Sequence, residues 1–155
     1  MSDQQTTNKA EVRKEGDREI IVERVFDAPR DLVFKAFTDP ELIPEWWGPH
    51  DTETVVDKAD VRTGGDWRFV HKNSDGTETA FRGTFREVTP PERIAWTFEW
   101  DGMPGYVSVD IVEFEDLGEQ TRIRNRSLFF LPEERDGMLE AGMEKGMQEL
   151  SLIHI

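Results

Sequence analysis

The chain has 155 residues, 33 of them acidic against 19 Lys and Arg, a formal net charge of −14 and no cysteine. That length fits one domain, and the missing cysteine excludes disulfides, thiol catalysis and zinc–thiolate sites. The charge repels nucleic acid and anionic lipid, and no apolar run approaches the roughly 18 residues of a membrane span, so a cytoplasmic protein is expected, with neither nucleic acid nor a membrane as partner.

The acidic excess has two readings. It keeps a protein soluble, and it also suits high salt, where screening relieves self-repulsion. Both stay open.

In chain order, residues 1–17 are polar, aperiodic and mixed in charge, and are expected to be a disordered tail before a single domain over 18–155. Arg18 to Phe26 is rich in β-branched residues and half alternating, the pattern of a strand. Ala28-Pro29 ends it, because proline has no N–H for a ladder. Asp27 can cap the helix that follows, and Leu32, Val33, Ala36 and Phe37 give that helix an apolar face. Asp39-Pro40 breaks it and opens a second short helix, Glu41 to about Trp47, which ends at Gly48-Pro49. His50 follows in a loop.

From Asp51 the period changes to two. Thr52 to Val61 is a weak strand pattern, and Gly64-Gly65 is a turn. Trp67, Phe69 and His71 then share one face, and Asn73-Ser74-Asp75-Gly76 is a hairpin signal. Phe81, Gly83 and Phe85 alternate with Arg82, Thr84 and Arg86; after the turn at Thr89–Glu92, Ile94, Trp96, Phe98 and Trp100 alternate in the same way. Tyr106–Phe114 and Thr121–Phe129 complete an antiparallel sheet. Pro132 opens a last helix, with Leu139, Met143, Met147 and Leu150 near helical spacing. The architecture expected is α+β: a curved antiparallel sheet of six or seven strands wrapped on a long C-terminal helix, with two short helices after the first strand closing one end.

A sheet curved around a helix leaves space where small ligands bind. The candidate lining is Trp46, Trp47, Trp67, Phe69, His71, Phe81, Phe85, Trp96, Phe98 and Trp100, with Met143 and Met147 from the helix. Aromatics dominate cores in any case, so the bland reading of each is packing. Taken together, so many bulky rings under a Met-bearing helix point to an adaptable apolar pocket. His71 is either a pocket acid–base group or a hydrogen-bonded core histidine. Arg82, Arg86, Arg122, Arg124 and Arg126 either bind phosphate or an acidic partner, or pair across strands with Asp and Glu on a solvated face. Asn125-Arg126-Ser127 matches a glycosylation acceptor only weakly. No nucleophile elbow, phosphate loop, dinucleotide fingerprint or paired-histidine metal motif occurs, so no catalytic residue, cofactor or metal site is expected.

The chain resembles a known superfamily at four places. These are Arg24-Val25-Phe26-Asp27-Ala28-Pro29 through Val33-Phe34; Thr38-Asp39-Pro40 with Trp46-Trp47-Gly48-Pro49; Gly83-Thr84-Phe85-Arg86-Glu87-Val88 into Pro90-Pro91-Glu92-Arg93-Ile94; and Gly142-Met143-Glu144-Lys145-Gly146-Met147. The order is similar to the SRPBCC (START-like) superfamily, in the branch homologous to the C-terminal domain of the heat-shock-protein-90 ATPase activator. The resemblance implies a helix-grip fold with a cavity between sheet and helix. Members of the superfamily bind lipids, hormones and polyketides, and some are cyclases or dehydratases, but these motifs mark no catalytic set. The expectation is a binder of a small apolar or amphipathic molecule, without catalysis. The alternatives are a module that interacts with a chaperone or a second copy of itself, and a cyclase- or hydrolase-type enzyme using the same pocket. Leu150 to Ile155 departs from the family pattern, which leads to the expectation of a truncated or foreign C-terminus.

Overall fold

The computed structural model describes residues 11–45 and 53–140. The elements are β1 (Glu11–Glu15), β2 (Glu19–Phe26), α1 (Arg30–Thr38), a 3-10 turn (Ile43–Glu45), β3 (Glu53–Ala59), β4 (Asp66–Lys72), β5 (Glu78–Thr89), β6 (Arg93–Trp100), β7 (Val107–Asp116), β8 (Thr121–Leu128) and α2 (Pro132–Glu140). All strands join one antiparallel sheet of eight, ordered β1-β2-β8-β7-β6-β5-β4-β3. With the C-terminal helix on its inner face, the curved sheet forms a helix grip.

The eighth strand corrects the sequence reading. Glu11–Glu15, placed in the expected tail, pairs with β2 through Val12↔Val22 and Lys14↔Ile20. Its residues are nearly all charged and only Val12 is apolar, so hydrophobic alternation is absent. Gly16, at φ 58°, makes the turn that folds it back. Charged edge strands of this kind discourage further pairing.

Strands β3 to β8 follow one another as hairpins. The Asn73–Gly76 turn is held by Asn73 N–H on the Thr77 carbonyl at 2.8 Å and by Thr77 N–H on Asp75 Oδ1 at 2.9 Å. The one long crossover leads from β2 to the far edge strand β3, and α1 begins it. The Pro29 residue caps α1 with its carbonyl, which accepts from Leu32 and Val33 N–H at 3.0 and 3.1 Å; no side chain caps this end, although Asp27 was the expected cap. The helix buries Val33, Phe34 and Ala36, while Leu32 is 55% exposed. The apolar face is therefore rotated from the one expected, because Phe34 and Phe37 both pack edge-on against Phe114 of β7, with centroids 5.1 and 5.3 Å apart. Asp39 then stops the helix, and its Oδ1 accepts from Glu41 N–H at 2.9 Å. In place of the second helix expected over 41–47, the described chain makes the 3-10 turn, and the rest of that segment lies outside the described residues.

Two cores result. The larger joins Phe26, Val33, Phe34, Ile43, Trp67, Phe85, Ile94 and Phe114. The smaller joins Ile20, Val22 and Phe129 to Val12, Met138 and Leu139, seating α2 on the β1–β2 side. Arg135 of α2 is buried and fastens the helix there, with Nη1 donating to the Gly16 and Glu19 carbonyls at 3.3 and 3.1 Å.

Candidate functional site

The inner face of the sheet divides into an aromatic half and a polar half. On the aromatic half, strict alternation turns Trp67, Phe69 and His71 of β4 inward, and all three are buried. Register sets Phe69 beside Phe81, Phe81 beside Trp100, and Phe85 beside Trp96. Between Phe85 and Glu87 the β5–β6 register shifts by a bulge, after which Val88 and Ile94 are again paired. The rings form a continuous layer: Trp67–Phe69 at 4.8 Å, Trp67–Phe98 at 6.1 Å, and Phe81 stacked on Phe98 at 5.1 Å. Gly83 makes room for it. A Cβ there would overlap the Thr97 carbonyl and the Trp67 indole nitrogen. The layer grades outward, from Trp67 at 3% exposure through half-buried Phe81, Trp96 and Phe98 to Trp100 at 41%.

His71 lies edge-on to Phe81 at 5.1 Å, opposite Thr54 on β3 and Thr79 on β5. Burial lowers its pKa below the usual histidine value, so the ring is held neutral at neutral pH.

The polar half was not anticipated. Ser108 and Asp110 of β7, with Asn125 and Ser127 of β8, occupy inward positions and are buried. Register pairs Asp110 with Ser127 on one side and with Trp96 on the other. The Ser127 hydroxyl donates to Asp110 Oδ1 in a short hydrogen bond, and the neighbouring Asn125 side chain also favours the ionised carboxyl. Burial pushes the Asp110 carboxyl up to about 6, against the opposing pull of those two side chains. Asn125 Oδ1 is itself buried with no hydrogen-bond partner. Arg24 of β2 is also buried, its guanidinium over the Phe26 ring at 5.3 Å.

On the outer face, four of the five arginines singled out in the sequence are ion-paired. Arg122 meets Glu115 at 2.8 Å, Arg124 meets Glu23 at 2.8 Å, and Arg126 meets Glu19 at 2.9 Å. Glu23 also takes Arg13 at 2.9 Å, and Arg82 lies 3.4 Å from Glu99. Cross-strand pairing accounts for these guanidiniums. A depression on this side of the molecule is lined by Glu11, Glu23, Glu113, Glu115, Arg122 and Arg124.

The sheet thus brings Trp67, Phe69, His71, Phe81, Phe85, Trp96, Phe98 and Trp100 onto one face. Trp46, Trp47, His50, Met143, Met147 and residues 150–155 lie outside the described residues. Ser108, Asp110, Asn125 and Ser127 escaped sequence reading, although alternation with Val112, Phe114 and Ile123 marks them as polar residues at core positions. Among the described residues, no cluster of three or more His, Asp or Glu side chains could hold a metal ion, and no helix is long and apolar enough to cross a membrane.

Solved structures share this fold. A protein from Arthrobacter aurescens, solved in solution, is 25% identical, with 90% of this chain covered, 85% of that one, and a TM-score of 0.83. A crystal structure from Rhodobacter sphaeroides is 20% identical, covering 92% and 93%, with a TM-score of 0.86. The AHSA1 protein from Silicibacter pomeroyi is 23% identical, covering 84% and 90%, with a TM-score of 0.70. No curated protein matches the chain. The family model described as activator of Hsp90 ATPase homolog 1-like protein matches residues 27–151. With the match running from the entry to α1 through all of β3–β8 and α2, the chain belongs to the family of activator of Hsp90 ATPase homolog 1-like proteins.

Proposed function

We propose that the protein binds a small apolar or amphipathic molecule between the inner face of its sheet and the C-terminal helix, without transforming it. One observation carries this reading: ring contacts run from the buried Trp67 through Phe98 to Phe81, whose cross-strand neighbour Trp100 is exposed, so part of the apolar surface stays available to a ligand. Covering such a surface contributes about 25 cal/mol per Å². Ring faces accept many apolar shapes, which suits a ligand site in which packing, more than a fixed polar pattern, sets affinity.

Native mass spectrometry of the purified protein, followed by denaturing extraction, tests the proposal. A reproducible co-purifying small molecule that is lost in Trp96→Ala is expected. An empty protein whose melting temperature is unmoved by a library of lipids and polyketides would overturn it.

A second reading, a surface that docks on a chaperone, has its own support. The family description names an Hsp90 ATPase activator, and Met103, Tyr106, Val107, Phe130 and Leu131 are exposed, Phe130 at 74%. On that reading, the ATPase rate of purified Hsp90 rises with added protein, and Phe130→Ser removes the increase while Trp96→Ala leaves it intact. A rate unmoved by the wild-type protein excludes it.

A further inference from the structure

Asn125 is 9% exposed, on β8 between Val112 of β7 and Val22 of β2. Its Oδ1 has no hydrogen-bond donor, and its side chain is near enough to Asp110 to favour the ionised carboxyl. A buried acceptor in that condition costs about 1–3 kcal/mol, and native proteins retain few of them. Beside it, Asp110 Oδ1 accepts from Ser127, so the cluster presents oxygen lone pairs to the inner space. Among the described residues, the cations of neighbouring elements are directed elsewhere. Lys14 of β1 is exposed. The Arg24 guanidinium lies over Phe26, further along β2 from Val22. Arg135 of α2 is engaged by the Gly16 and Glu19 carbonyls and by Asp136, and His71 sits across the sheet on β4. On the other side, Trp96 is the direct cross-strand neighbour of Asp110, and Phe98 that of Ser108. The acceptor cluster therefore borders the aromatic layer.

We propose that Asn125, with Asp110 beside it, is the polar end of the ligand site and selects a molecule whose apolar body lies along Trp96 and Phe98 and whose tip carries a hydrogen-bond donor, N–H or O–H. This rests on the ligand-binding reading above and narrows it. A donor at the tip satisfies the orphaned Asn125 Oδ1. A carboxylate tip sets lone pair against lone pair, so fatty acids and similar anions are disfavoured. A protonated amine gains the Asp110 carboxylate as well, whereas an alcohol gains Asn125 alone.

Four probes that share one body separate these cases: 4-phenylbutylamine, 4-phenyl-1-butanol, butylbenzene and 4-phenylbutyrate, each titrated into the full chain and followed by amide NMR shifts. The amine and the alcohol are expected to bind about tenfold tighter than butylbenzene, the value of one newly satisfied buried acceptor, and 4-phenylbutyrate weaker than butylbenzene. In Asn125→Leu, which fills the same space without an acceptor, the donor preference over butylbenzene falls to about threefold or less; Asn125→Val serves if Leu does not fold. An amine advantage over the alcohol that vanishes in Asp110→Asn identifies the donor as cationic, and equal affinities identify it as neutral; both support the proposal. Flat affinities in the wild type, or a donor preference that persists without Asn125, overturn this inference and leave the ligand-binding reading standing. No binding by any of the four overturns both.

Discussion

Glu23 and Asp110 are carboxylates two strands apart in one sheet, and they face opposite sides of it. On the outer face, hydrogen bonding to Arg13, with Arg124 as a second partner, holds Glu23 below the ordinary carboxylate range. On the inner face, burial pushes Asp110 up to about 6, although Ser127 donates to it and Asn125 also favours its ionised form. The difference lies in what surrounds the carboxyl. Two neutral side chains do not offset desolvation, whereas a guanidinium at a half-wet surface does. Polar residues on the outer face therefore serve the sheet's register and solubility, while polar residues on the inner face carry a cost that calls for another explanation.

The coarsest way to break that contrast is to delete one neighbour on each side. Phe114→Ala is expected to cost about 3–5 kcal/mol, because it empties the space against Phe34 and Phe37. The adjacent outward Glu113→Ala should cost less than about 1 kcal/mol, since it loses only its exposed pair with Arg93. Equal losses in urea unfolding would mean that the two faces do not differ as described.

Asp110→Asn sharpens the contrast. Between about pH 4 and 6 the folded chain binds this proton more tightly than the unfolded chain, so stability falls as pH rises through that window. Removing the charge should stabilise the protein at pH 8 by up to about 3 kcal/mol and by nothing at pH 4. Denaturant unfolding at the two pH values measures it, and an equal effect at both would refute the assignment. His71 carries the opposite sign. Its lowered pKa means that stability is full above the ordinary histidine value and declines as acid forces the buried ring to charge. In the Asp110→Asn background a decline from pH 7 to 5 should therefore emerge, and His71→Gln should flatten it.

The smallest effect lies outside. Glu23→Gln should cost about 0.5–1 kcal/mol at low salt and less in molar NaCl, because screening reaches exposed pairs. The Asp110→Asn difference should not respond to salt. Thermal melts of both variants across NaCl decide this. The same series on the wild type tests whether the charge of −14 favours high salt: a melting temperature that does not rise would remove that reading.

Much of the fold is legible in the chain, because a period of two is a local signal. Trp67, Phe69 and His71, or Ile94, Trp96 and Phe98, announce both strand and face. What hid was non-local or polar. β1 has no apolar alternation and is a strand only because β2 offers an edge. The rotation of α1 depends on Phe114, far along the chain, which draws Phe34 and Phe37 inward. The candidate site was half visible for the same reason: aromatic residues advertise a covered face, whereas Asp110 and Asn125 look like surface residues until register places Asp110 beside Trp96 and Asn125 between two valines.

The order of the sheet also bears on how the protein is made. Among the described residues, β2 hydrogen-bonds to β1 and β8 alone, and β8 is the last strand. Glu23 and Arg124, which meet across that pair, are 101 positions apart. At the ribosome's roughly 5–20 residues per second, β2 emerges on the order of 5 to 20 s before its principal partner. Over that interval the β1–β2 hairpin has an open edge carrying Ile20, Ile21 and Val22, while the meander from β3 onward can pair strand by strand as it is synthesised. The charged Glu-Val-Arg-Lys-Glu of β1 is then more than a quiet border of the finished sheet. It covers one side of an apolar strand during the period when nothing else can.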